Sequence, residues 1–215
     1  MSGHSSNSLH LSKHRIEALV DGIFAVAMTL LVIDLRLPEH AHIGSDTELR
    51  AALLHLLPNF YSWLVSFGVL ALFWVANHRV YSHVHHVDAP LVWYTIMVLA
   101  GASLLPFASA IDSQFASSLA QSVYALVMVL MGLGSLLVAN HIYRHPALCG
   151  HPMDKEAYRS ACIRTGGVIL TALLTVALAI QFPGTANTAF LLLFVLRPLD
   201  RLLSRRPEPA AASAT

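Results

Sequence analysis

The sequence predicts an all-α membrane protein with six transmembrane helices, and three observations carry that prediction. Hydrophobic residues make up 56% of the 215-residue chain and charged residues only 12%, whereas soluble domains carry about 25% charged residues. The apolar residues fall into blocks of the length that crosses hydrocarbon, about 20 residues each. Lys and Arg collect on alternate connections between those blocks, as the positive-inside rule requires. Mean hydropathy is +0.62. A net charge of +1 with His neutral provides no basic field for nucleic acid. The two cysteines, Cys149 and Cys162, form neither a disulfide framework nor a C-x-x-C pair.

The first 14 residues are polar and rich in Ser and His. They read as a flexible arm on the cytoplasmic side, and they lack the apolar core and small-residue cleavage site of a signal peptide. The first span follows at Ile16–Leu35 and the second, free of charge, at Asn59–Asn77. Leu91–Ile111 and Ala116–Tyr143 are the third and fourth. The stretch between Arg164 and Arg197 has no charge and is too long for one helix. Pro183-Gly184 inside it is a turn signal, which splits it into Thr165–Phe182 and Thr185–Leu203. Residues 15–203 thus form one six-helix unit, and the Pro/Ala/Ser-rich residues 204–215 form a disordered tail. The aqueous segments of any size are Pro38–Arg50 outside and His145–Arg164 inside.

With a cytoplasmic N-terminus, the inner segments hold Lys13, Arg15, Arg79, Arg144, Lys155, Arg159, Arg164, Arg197, Arg201, Arg205 and Arg206, and the outer loops only Arg36 and Arg50. That asymmetry places both termini in the cytoplasm.

Chemistry concentrates in the first helix. Asp21 falls at the edge of the hydrocarbon, where an ionisable side chain is costly unless it faces protein or water. Between Gly22 and Ile33 there is no charge, and Thr29 is the lone hydroxyl. Arg15 and Asp21 are six residues apart, a spacing that does not place them on one helical face for direct pairing. An enzyme is not expected, because no nucleophile motif, H-E-x-x-H, Gly-rich phosphate loop or acidic metal cluster occurs. His78, His83, His85 and His86, with Asp88 nearby, leave an alternative: a secondary transporter for protons or a divalent metal. Their spacing matches no standard zinc pattern, and interfacial histidines account for the run without a metal. A non-transporting assembly subunit is the third possibility.

Arg15, the segment Leu19-Val20-Asp21 and the apolar helix after it resemble the R-x-x-x-F-S-D helix of the transmembrane protein 175 family of potassium-permeable channels. Leu and Val stand here where the family pattern has Phe and Ser. Phe73-Trp74 with His78, and Leu104–Ile111, extend the resemblance along the chain.

The resemblance implies that residues 15–203 are a channel domain of the single-repeat kind, assembled as a homotetramer with the first helix of each copy lining the pore. It places the constriction at Val26, with Thr29 and Ile33 further along the pore, a stripe consistent with i, i+3, i+7 helical spacing. It also implies a polar network of Arg15, Asp21, Trp74 and His78 bracing the first helix. The expected partners are potassium or other monovalent cations, the lipid bilayer and further copies of the chain, with no cofactor and no metal. No T-V-G-Y-G-like segment occurs, so side chains around a narrow pore, and not backbone carbonyls, would set ion preference.

Overall fold

The computed structural model describes residues 12–37, 44–115 and 117–181. Helix α1 (Lys13–Leu30) tightens into a 3-10 turn over Leu31–Asp34. There follow α2 (Asp46–His55), α3 (Leu57–Tyr81), α4 (Ala89–Gln114), α5 (Ser118–Arg144) and α6 (Lys155–Gln181). Among the described residues, five helices are long and apolar enough to cross a membrane: α1 with its 3-10 turn, α3, α4, α5 and α6. The sixth predicted span, Thr185–Leu203, and the tail after it lie outside the described residues, as does nearly all of the N-terminal arm.

Local chemistry sets where these helices begin. Asp88 caps α4, its carboxylate accepting from the Leu91 amide at 3.1 Å, and Pro90 follows in the first turn, where a missing N–H costs nothing. The Ser117 hydroxyl caps α5 through the Ala120 amide. Helix α2 was expected to be part of an outer loop. It forms because Ser45 and Glu48 make a reciprocal capping box, with Asp46 and Glu48 at the positive end of the helix dipole. The connection before the predicted fifth span is shorter than expected, since α6 starts at Lys155 and carries Arg159 and Arg164 within the helix.

Helix α1 packs on α4 and α3, α4 on α5, and α5 on α6. The core lies between them, with Phe24, Leu70, Leu91, Leu105, Met128, Met131 and Ile142 almost wholly enclosed. Glycines bring the α5 backbone close to its neighbours. A side chain at Gly134 would meet the Val98 backbone of α4, and one at Gly132 would meet Ile169 of α6. Such small-residue contacts are how helices associate in lipid, where water supplies no driving force between them.

The loops after α3 and after α5 are knitted together. Val84 pairs with Cys149 in an antiparallel bridge. The amides of His85 and His86 donate to the Leu148 carbonyl at 2.7 and 3.1 Å, and the Gly150 amide donates to the His83 carbonyl at 3.1 Å.

Candidate functional site

Helix α1 has two faces with different fates. Ile16, Val20, Phe24, Ala27 and Leu31, spaced by three or four residues, are buried against the rest of the subunit. The opposite face is almost as apolar and is left exposed among the described residues, with Val26 56% and Ile33 44% exposed and Thr29 exposed between them. The three candidate pore residues therefore share the free side of the helix. The Thr29 hydroxyl donates to the Val26 carbonyl at 2.8 Å, so its proton is engaged and its lone pairs remain available. The 3-10 turn advances about 120° per residue where an α-helix advances about 100°, which rotates Ile33 by about 60° from its position in an unbroken α-helix.

Midway along α1, the indole Nε1 of Trp74 donates to the Asp21 carboxylate at 2.8 Å. The Trp74 ring stacks on His78 one turn along α3, with centroids 6.2 Å apart. These side chains, with Glu17, Asn77 and Tyr81, line an open pocket of about 250 Å³ between α1 and α3. The structure thus brings three of the four predicted network residues together. Arg15 is exposed on the arm side of α1 and forms no ion pair with Asp21; Lys13 and Glu17 make the ion pair of this turn, at 3.4 Å.

The rings of His85 and His86 meet at 3.1 Å, but among the described residues no three His, Cys, Asp or Glu side chains converge to hold a metal ion. Two further features went unread in the sequence. Asp88, recognisable as a helix cap before Ala89-Pro90, also accepts from Nε2 of His141 at 2.8 Å. Tyr81 donates its buried hydroxyl to Thr95, which in turn bonds the Leu91 carbonyl at 2.8 Å.

Comparison with known proteins gives this arrangement its context. The family model described as "Endosomal/lysosomal potassium channel TMEM175" matches residues 15–106, beginning at the motif arginine. A potassium channel of Streptomyces collinus is 35% identical over 170 residues, which is 77% of this chain and 81% of that protein. The chain belongs to the TMEM175 family. A potassium channel of Chamaesiphon minutus is 31% identical over 67% of this chain and 71% of its own length. The crystal structure of a lysosomal potassium-selective channel TMEM175 homolog from the same organism superposes with a TM-score of 0.72 at 25% identity. It covers 90% of this chain and 98% of that one. The family match spans α1, α3 and most of α4, so the two faces of α1 and the Asp21–Trp74 contact both fall within the TMEM175 segment.

Proposed function

We propose that the chain is one subunit of a homotetrameric, potassium-permeable cation channel of a bacterial cell membrane, with both termini cytoplasmic and α1 lining the pore. One observation carries the proposal: α1 keeps an uncovered face made of Val26, Thr29 and Ile33 while its other face is consumed by the subunit core. The potassium-channel relatives support it. Four copies bring four such faces to one axis, the arrangement a closed cyclic assembly provides.

The chemistry of that face fits monovalent cation flux. A ring of Val26 side chains forms an apolar collar that holds water poorly when tight, and so gates by dewetting. One turn on, the Thr29 hydroxyls have spent their protons on the Val26 carbonyls and turn oxygen lone pairs to the axis, where they replace part of a cation's hydration. The Asp21–Trp74–His78 contact braces α1 against α3 behind the pore. An exposed carboxylate at this depth is costly toward lipid, which favours Asp21 facing a neighbouring copy or the pore vestibule.

Potassium and sodium fluxes through the purified protein in liposomes test this, together with the mass of the assembly in nanodiscs. Val26→Asn wets the collar, raises flux severalfold and admits sodium more freely. Thr29→Val removes hydroxyls with little change of shape and lowers potassium preference without raising flux. Leu31→Ala, on the buried face, reduces stability and leaves ion preference alone. Normally assembled Val26→Asn protein with wild-type flux and selectivity places the pore on another face. Saturable, proton-coupled or metal-dependent transport supports the transporter alternative instead.

A further inference from the structure

At the end of the bundle where α1 begins, one carboxylate does two tasks. Oδ1 of Asp88 caps α4 through the Leu91 amide, and Oδ2 accepts from Nε2 of His141 in the last turn of α5, at 2.8 Å. The His141 side chain is only 10% exposed and Asp88 33%, so water screens the pair less than a surface contact. The His141 ring lies between Tyr94 of α4, edge-on at 5.7 Å, and His145, tilted at 4.2 Å. His145 donates its Nδ1 proton to the His141 carbonyl at 2.9 Å. The contact therefore joins the start of α4 to the end of α5 through a single titratable ring.

It is also linked to the pore helix. Tyr81 of α3 lies within electrostatic reach of both Asp88 and Glu17 of α1, and its hydroxyl bonds Thr95 nearly two turns into α4. Helix α1 itself packs on α4. Tyr94 on α4 and His145 on α5 face the His141 ring, Arg144 follows it in the last turn of α5, His85 and His86 lie in the loop that leads to Asp88, and Tyr81 on α3 and Glu17 on α1 complete the charged and titratable surroundings. Tyr158 of α6 is stacked on Tyr143 at 4.3 Å.

We propose that the Asp88–His141 contact is a proton-operated latch that holds the α4 and α5 ends together and thereby restrains α1. Imidazole is the side chain whose charge ordinarily changes between about pH 5 and pH 8. With His141 protonated, the contact is a charge-assisted ion pair. With the ring neutral, its N–H still bonds the carboxylate, and the attraction between opposite charges is lost. As the pH on this side rises, the latch loosens and α1 is freer to move.

Two measurements on the full-length protein test the latch. In liposomes, potassium flux is compared at about pH 6 and about pH 8 on each side in turn, for wild type, His141→Gln and Asp88→Asn. Gln keeps a donor that does not titrate, and Asn remains a good helix cap without the charge. The control His151→Gln lies in the loop before α6. Wild type and the control show a flux rise of about threefold to tenfold toward pH 8, a span ordinary for coupled sites, and both latch variants lose it. Hydrogen exchange of residues 82–91 and 141–150, corrected for the intrinsic pH dependence, shows protection falling with pH in wild type and not in the variants. A pH response of full size in His141→Gln and Asp88→Asn, or loop protection independent of pH in wild type, overturns the proposal. The flux arm rests on the channel reading, whereas the exchange arm does not. Absent potassium flux with pH-dependent protection intact refutes the channel and leaves the latch standing.

Discussion

Replacing Gly134 by alanine puts a methyl group where α4 already stands. The new carbon would lie 2.8 Å from the Cγ2 of Val98, 3.1 Å from its backbone nitrogen and 3.4 Å from the Tyr94 carbonyl oxygen. Carbon atoms rest at about 3.5–4.0 Å, so the deficit is on the order of 0.7 Å against the methyl and somewhat less against the backbone. Val98 is fully buried and β-branched, with one strongly preferred rotamer in a helix, so it cannot swing aside. The helices must part, at about 1–3 kcal/mol. Gly166 on α6 is the comparison, because nothing lies within 4 Å of a side chain added there. Both substitutions gain about 1 kcal/mol of helix propensity, so that gain cancels and their difference isolates the overpacking. Thermal denaturation in one detergent, followed by loss of the monodisperse species, should place Gly134→Ala below Gly166→Ala by roughly 2–12 °C for a chain of this size. Equal midpoints would refute the close approach of α4 and α5.

Two further outcomes follow from single side chains. Trp74→Phe keeps the ring beside His78 but removes the donor to Asp21, so assembly should weaken by about 1 kcal/mol. Trp74→Ala, which removes the ring as well, should weaken it more; equal losses measured by native-gel mass would mean the indole N–H is not used. In a Cys162→Ser background, maleimide labelling of Cys149 reports its thiol, which burial pushes above the usual value against a smaller opposing effect from the Met153 backbone. A raised thiol value means less thiolate at any given pH. The labelling rate should therefore keep climbing above pH of about 8.5, where an ordinary thiol is half ionised, and a plateau by then would count against that burial.

Much of the bundle was legible because hydropathy reports the hydrocarbon boundary directly. The spans of α3, α4 and α5 fall within a few residues of the predicted blocks for that reason. Hydropathy reports the edge of the membrane and not the end of a helix, and α6 shows the difference. It begins ten residues before Thr165, at Lys155, because charged residues end an apolar run without breaking a helix. Helix α2 was missed since a short helix with no buried side chain has no periodic apolar signal, although Ser45 and Glu48 at capping-box spacing were there to be read. Of the site, the Val26, Thr29 and Ile33 stripe and Trp74 beside Asp21 both came from the family resemblance, with helical spacing consistent with the stripe. The partner of Asp88 was not legible, because His141 is 53 residues away and only the packing of α4 on α5 brings them together. The displacement of Ile33 was hidden for a related reason: a 3-10 turn at a helix end depends on what the last carbonyls bond, which composition does not specify.

The backbone bonds between the loop after α3 and the loop after α5 act as a parity constraint on membrane insertion. Two loops that share a bridge between Val84 and Cys149 must sit on the same side of the bilayer, so the segment between them crosses an even number of times, as α4 and α5 do. Orientation is then decided for both hairpins at once. Charge added to one loop cannot invert that hairpin alone without stripping the amides of His85, His86 and Gly150 of their carbonyl partners.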